Sequence, residues 1–336
     1  MSGTLQASEM NKPFKGVIQK VSTASAMQSQ GALVRIEEGK QKGQIVSTKA
    51  NPSVSGGGIR FQTGDAVMLS QVMDAAGNDA YYIVDYVRTP GLLTLFIVFL
   101  IFVLLIGRWK GLFAAVGMIL SFIIISQFII PQILLGNDPI LISLMGSLFI
   151  IPLTFYVSHG VSRTTHVAVV ATFITLIITG ILAYAAVDLA KLTGYAAEEA
   201  SFLQLLTGGS INIKSLLLAG IIIGTLGVLD DITISQSGIV ERLAVANPKY
   251  TVRKLYHEAM VLGRDHIASL VNTLILVYTG AALPLFLLFY NSKTTLALAV
   301  NQEIVATEIV RTLVSSIGII AAVPITTFLA AWYRKH

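Results

Sequence analysis

The stretch Thr89–Gly107, TPGLLTLFIVFLIFVLLIG, decides the fold class of this sequence. It lies between Arg88 and Arg108 and contains no charged residue. As an α-helix its 19 residues extend about 28 Å at 1.5 Å per residue, close to the hydrocarbon thickness of a bilayer. We therefore predict a membrane-spanning helix here and an integral membrane protein.

The composition supports this prediction. The chain has 336 residues, of which 54% are hydrophobic and 12% charged, whereas about a quarter of the residues in an average soluble domain are charged. This balance excludes an ordinary water-soluble enzyme. The absence of cysteine excludes disulfides, thiolate zinc sites and cysteine nucleophiles. The net charge of +5 is typical of the basic loops of membrane proteins, so we predict no nucleic-acid partner.

Six further segments are apolar and poor in charge, which predicts a bundle of seven transmembrane helices over residues 89–336. The fifth segment is unusual because its uncharged run, Ser215–Leu229, is too short to cross the hydrocarbon unless Asp230 and Asp231 enter the membrane or its edge. The seven predicted segments are 89–107, 111–132, 139–157, 164–187, 213–234, 266–290 and 308–333.

Lysine and arginine residues are concentrated in the loops after the first, third and fifth segments and at the C-terminus. Because basic loops stay in the cytoplasm, this pattern predicts a cytoplasmic C-terminus and places residues 1–88 outside. The first residues, MSGTLQASEMNKPFKG, lack the apolar region of a secretory signal. Either a native N-terminal segment precedes this sequence or the sidedness is inverted, and the basic residues favour the first alternative.

Residues 1–88 are predicted to form a small all-β domain, either a barrel or a sandwich. Five short stretches rich in β-branched and aromatic residues alternate with glycine, asparagine and proline turn residues. They are GVIQKV, ALVRIE, GQIVST, DAVMLSQV and YYIVDYV.

The fifth segment carries small residues at helical spacing. Asp231 and Ser235 continue the line that four glycines begin, and these glycines are Gly220, Gly224, Gly227 and Gly238. Small residues allow neighbouring helices to approach closely, so we predict that this face is buried in the bundle.

The sixth segment supplies a second polar face through Arg264, Asp265 and Asn272. In a functional interpretation, Asp230 or Asp231 binds a proton or cation, and Ser235, Gln236 and Asn272 supply neutral ligands. In a structural interpretation, Arg264 or Arg242 pairs with an aspartate and Asn272 forms an interhelical hydrogen bond. Both interpretations remain open at this point.

Two basic regions complete the pattern. His159, Arg163 and His166 lie in the short loop after the third segment, where they form a candidate site for an anion or a lipid headgroup, although a loop arginine more often fixes topology. Residues 249–264 follow an Asn-Pro break and have one apolar face, which predicts an interfacial amphipathic helix.

Enzymatic chemistry has little support in the sequence. His257 and Glu258 begin like a zinc protease motif, but the second histidine four positions after the first is missing. We predict no catalytic residue, no metal site and no cofactor.

Several motifs resemble those of the YibE/F-like family of bacterial multi-pass membrane proteins. They are IGRWKG at 106–111, GSL at 146–148, HG at 159–160 with Arg163, SLLLAGIIIGTLGVLDDITISQ at 215–236 and GRDHIASLVNTLILVYTGAALPL at 263–285. The resemblance covers residues 90–333 and implies a bacterial cell-membrane location. Family members often carry one aspartate after the glycine-rich stretch, so the pair Asp230-Asp231 departs from the pattern and leaves open which acid corresponds.

The leading hypothesis is a transporter or permease, coupled to a proton or cation through the acid pair. The alternative is a membrane scaffold or assembly protein whose external β domain binds a partner. The expected partners are the lipid bilayer, a protein that binds the N-terminal domain and further copies of the chain.

Overall fold

Residues 79–292 form the longest continuous described part of the computed structural model. The whole chain divides into two units, Met1–Ile101 and Phe102–His336, with the boundary inside the first long helix. The structure describes residues 13–22, 31–39, 41–50, 61–73, 79–292 and 295–335.

A closed five-stranded barrel forms from the described part of the N-terminal unit. The strand order is β1-β2-β3-β5-β4, with β1 antiparallel to β4 and β3 parallel to β5. Alternate residues of β2, Ala32, Val34 and Ile36, are buried in the core because side chains of a strand alternate between its two faces. Gly16 is required in β1, since a Cβ there would lie 2.6 Å from Val34 Cγ1. The strands are β1 Phe14–Ser22, β2 Gly31–Ile36, β3 Ile45–Ala50, β4 Ala66–Met73 and β5 Asp79–Tyr86.

The rest of the described chain is helical. Six helical stretches are long and apolar enough to cross a membrane by length and composition. The helices are α1 Thr89–Ile124, α2 Ile130–Leu134, α3 Pro139–His159, α4 Arg163–Leu189, α5 Glu198–Leu206, α6 Ile213–Ala246, α7 Val252–Ala281, α8 Leu283–Asn291, α9 Leu296–Val300 and α10 Glu303–Lys335, with a π-helical turn, Ile125–Ile129, between α1 and α2.

The first two predicted segments, 89–107 and 111–132, correspond to two helical stretches separated by a kink at Arg108. The candidate span runs over Thr89–Leu134 and is interrupted at Arg108, whose backbone has φ 51° and ψ −142°. A positive φ is uncommon for a residue with a side chain, so the change of direction is concentrated at this residue. No residue of α1 before Ala115 is buried.

The sequence predicted an interfacial helix, 249–264, and a separate sixth segment, 266–290, but the structure has no break between them. Both contribute to α7, which runs without a break from Val252 to Ala281. Thr251 caps its start by accepting a hydrogen bond from Lys254 N. Pro284 follows the end of α7 and lies in the first turn of α8, where proline fits because its missing N–H leaves no hydrogen bond unmade.

Helices α4, α6 and α10 pack on one another at the centre of the C-terminal unit, α7 packs on α10 and α6, and α3 packs on α6. Their buried apolar side chains form three clusters, of which the largest includes Ile151, Phe155, Leu176, Leu229 and Ile319. This packing fixes which face of α6 is covered.

Candidate functional site

Helix α6 has one covered face and one open face. Asn212 caps its start by accepting a hydrogen bond from Ser215 N. The covered face contains Leu229 and Gln236, both 0% exposed. On the opposite side five residues of the predicted small-residue line are exposed, namely Gly220, Gly224, Gly227, Asp231 and Ser235.

The prediction that the glycine line packs against the rest of the bundle is wrong for the described residues. A Cβ added at Gly220, Gly227 or Gly238 would meet nothing within 4 Å, and at Gly224 its nearest contact would be Tyr278 Oη at 3.8 Å. The neighbouring helices instead cover the face that carries Leu, Ile and Thr side chains, because these larger groups make more van der Waals contacts and, for Thr, hydrogen bonds across helices.

Glycines outside the predicted line are the closely packed ones. A Cβ at Gly263 of α7 would lie 2.5 Å from Val323 Cγ1 and 3.0 Å from Gln236 Nε2. A Cβ at Gly318 of α10 would lie 2.6 Å from Thr179 Oγ1. These two positions allow α7 and α10 to approach their neighbours.

The acid pair lies at the edge of the open face. Asp230 is half-buried and Asp231 is exposed, and within the described chain neither carboxylate has a hydrogen-bond or ion-pair partner. The Asp231 carboxylate and the Lys110 ammonium both lie close enough to the His159 imidazole to act on its charge. Helices α1, α3 and α6 thus contribute Lys110, His159 and Asp231, and these three residues with Asp230 are here called the Asp231 cluster.

The predicted partner face on α7 does not join the Asp231 cluster. Arg264, Asp265 and Asn272 are exposed. None of them forms a hydrogen bond or ion pair with Asp230 or Asp231 in the described structure. The same holds for Arg242, so the aspartate–arginine pair of the structural interpretation is not formed within the described chain.

Gln236 is separated from the acids with which the sequence grouped it. Its buried Nε2 donates hydrogen bonds to Ala259 O of α7 at 3.0 Å and to Thr327 Oγ1 of α10 at 2.8 Å. Its Oε1 has no partner among the described residues. Gln236 therefore connects three helices on the covered face and is not a ligand on the open one.

Sequence reasoning missed a line of buried hydroxyls between α4, α6 and α10. Thr172 and Thr233 hydroxyls lie 2.7 Å apart, and those of Thr225 and Ser315 lie 2.8 Å apart. Ser237 Oγ donates to Thr164 O at 3.0 Å. Hydrogen bonds of this kind hold membrane helices together. The spacing of Thr172, Thr175 and Thr179 on α4 is the sequence pattern that indicates this face.

The predicted anion site at the start of α4 is dispersed. His166 Nδ1 lies 2.7 Å from Tyr156 Oη. The Arg163 guanidinium lies 5.9 Å from the centre of the Tyr333 ring. His159 belongs to the Asp231 cluster instead. The three side chains therefore have different surroundings and form no common pocket.

The residues that the structure describes contain no group of three or more His, Asp or Glu side chains able to hold a metal ion. The arrangement at α6 is a pair of adjacent acidic residues in line with small residues on an exposed face. It is suited to binding a proton or cation electrostatically.

Long apolar helices joined by buried hydroxyls define a class of multi-helix proteins with the features of integral membrane proteins. The chain belongs to the family described as YibE/F-like protein, which matches residues 95–336 and confirms the predicted resemblance. No curated protein and no solved structure matches it.

Proposed function

We propose that this protein is a multi-pass membrane permease in which Asp230 and Asp231 bind a proton or cation whose movement is coupled to that of a solute. The observation that carries the proposal is that both carboxylates lack a hydrogen-bond or ion-pair partner in the described chain. A carboxylate without a partner in or at the edge of a membrane is costly, and ion or proton pathways are the usual reason that such a group is kept.

The surroundings of the acids support the same function. Ser235 lies one helical turn from Asp231 on the open face, and Gly227 lies one turn away on the other side. Neither position carries a bulky side chain that would block the approach of water or an ion to the carboxylates. The Asp231 carboxylate also acts electrostatically on the His159 imidazole without forming a direct ion pair with it.

The proposal includes seven membrane crossings in a bacterial cell membrane. Thr89–Leu134 supplies two of them, separated at Arg108, because its 46 residues extend about 69 Å as a helix, roughly twice the hydrocarbon thickness. The distribution of lysine and arginine supports a cytoplasmic C-terminus and an external barrel domain.

Charge displacement in proteoliposomes on a solid-supported membrane tests the function without a known solute. A step in pH or Na⁺ concentration moves charge when an ion binds inside the protein. We expect a transient current for the unmodified chain and none for the Asp230→Asn, Asp231→Asn double variant. Asp188→Asn is the matched control, because Asp188 is an exposed acid that pairs with Lys214 at 3.0 Å. A current of unmodified size in the double variant contradicts the proposal.

The barrel supports a second candidate function, a scaffold that binds a partner outside the membrane. Leu33, Ile45 and Met73 are 42%, 61% and 61% exposed on strands of this domain. Exposed apolar side chains of this size are frequent in protein interfaces. If this function is correct, deletion of residues 14–88 abolishes partner capture in the native membrane, whereas the aspartate double variant retains it.

A further inference from the structure

A cleft between α7, α8 and α10 is separate from the Asp231 cluster. Its volume is about 220 Å³. The walls are mostly apolar, and Ile275, Phe286, Val305, Ile309 and Leu313 supply them. An apolar cleft of this kind with a few convergent polar groups is the usual form of a site for a small molecule.

Four polar residues lie within the cleft, and one of them is charged. They are Tyr278, Thr279, Glu308 and Thr312. Thr312 Oγ1 donates to Glu308 O at 2.7 Å, which leaves its oxygen as an acceptor. Glu308 Oε1 accepts from Arg311 Nη1 at 2.8 Å, and the two side chains are 27% and 30% exposed. The second carboxylate oxygen has no partner among the described residues, so it is free to accept a hydrogen bond from a ligand.

Tyr278 connects this cleft to the open face of α6. Its Oη lies 3.8 Å from the position that a Cβ on Gly224 would occupy. Within the described structure the hydroxyl forms no hydrogen bond. Gly224 and Asp231 are seven residues apart in α6, or about 10 Å along the same face of the helix. Tyr278 thus joins a wall of the cleft to the part of the open face that lies two helical turns from Asp231.

We propose that the cleft binds the transported solute and that this solute is a small lipophilic amine. Its apolar body lies against the aliphatic and aromatic walls, and its ammonium group donates to Glu308 and Tyr278. Glu308 is the only charged residue among the described residues that line the cleft. Arg311 occupies one of its carboxylate oxygens, and the other is an acceptor that suits an ammonium donor and not an anion. This inference rests on the proposed permease function and names its substrate class.

Cysteine protection tests the site directly, because the chain has no native cysteine. The Thr279→Cys variant is purified in detergent, and the rate of its reaction with N-ethylmaleimide is measured. The probes are 4-phenylbutylamine and butylbenzene, which share an apolar body and differ in the amine. We expect the amine to give half-maximal protection at about tenfold lower concentration, the value of one hydrogen bond to a charged group.

Two comparisons make the result specific. Ile317→Cys is the control, because Ile317 is 47% exposed on α10 outside the cleft, and neither probe should slow its reaction. Introducing Glu308→Gln into the Thr279→Cys variant should make the two probes equally potent. Equal potency on the Thr279→Cys variant itself, or equal protection of the Ile317→Cys variant, overturns the assignment.

The proposed function and the substrate assignment can fail separately. If the aspartate double variant loses its charge movement while neither probe protects the Thr279→Cys variant, the substrate assignment is wrong and the permease proposal stands. If the Thr279→Cys variant is protected as expected while the double variant keeps its charge movement, the cleft binds amines but the aspartates are not the coupling groups.

Discussion

The two faces of α6 differ in composition and in surroundings. The covered face has larger side chains, including Leu229, Thr233 and Gln236, and contacts α3, α4, α7 and α10. The open face has Gly220, Gly227 and other small residues, followed by Asp231 and Ser235. The packing of α6 in the bundle therefore depends on apolar and hydroxyl side chains, and the small residues of the open face take no part in it.

The comparison separates structural from functional residues at adjacent positions. Gln236 is hydrogen-bonded to two neighbouring helices, whereas Ser235, one position earlier, is exposed. We expect substitutions on the covered face to reduce stability. Substitutions on the open face should affect ion binding while leaving stability nearly unchanged.

The largest difference in stability is expected when leucine replaces two glycines that have different surroundings, Gly263 and Gly227. Gly263→Leu places a side chain where even a Cβ lies 2.5 Å from Val323 Cγ1, and should lower the free energy of unfolding by at least about 2 kcal/mol. A Cβ at Gly227 would meet nothing within 4 Å, so Gly227→Leu should change the free energy of unfolding by less than about 0.5 kcal/mol. Unfolding in mixed micelles, followed by circular dichroism, measures both. Equal losses for the two variants contradict the assignment of the faces.

A smaller effect on stability is expected for substitutions at the adjacent polar residues Gln236 and Ser235. Gln236→Leu removes two interhelical hydrogen bonds while retaining most of the side-chain volume, and should cost about 1 kcal/mol. Ser235→Leu should leave the free energy of unfolding unchanged and reduce the charge displacement in proteoliposomes. If Ser235→Leu is the more destabilising of the two, the open face is covered in the folded protein.

The smallest effect on stability is expected for the hydrogen bond between the hydroxyls of Thr172 and Thr233. Thr172→Val, Thr233→Val and the double variant form a cycle for the hydroxyls that lie 2.7 Å apart. The coupling energy should be about 0.6 kcal/mol, the average for hydrogen bonds between membrane helices. A coupling energy indistinguishable from zero indicates that this bond does not contribute to holding α4 against α6.

The sequence predicted the long apolar helices well because helix length and lack of charge are local properties. It predicted α3, for instance, over 139–157, and the helix runs over Pro139–His159. Breaks between helices were predicted less consistently. The charged residues after Gly107 correctly indicated the break at Arg108, whereas the expected break between 264 and 266 is absent because no residue there interrupts the helix.

The side-chain contacts of the site could be predicted only in part. Asp231 and Ser235 share a face, as their spacing indicates, but which helices cover the other face depends on contacts between residues far apart in the chain. His159 was predicted beside Arg163 because the two are close in sequence. The fold instead brings it near Asp231, whose position is 72 residues away in the chain.

The most direct test of the central claim is the accessibility of the open face to water. Ser235→Cys and Ser315→Cys are compared in sealed vesicles of both orientations, using a charged maleimide that does not cross membranes. Ser315 is 0% exposed between α6 and α10, so its variant should be protected, whereas the Ser235→Cys variant should react from one side of the membrane. Equal protection of the two variants in folded protein would show that the acid face is dry and would contradict the account.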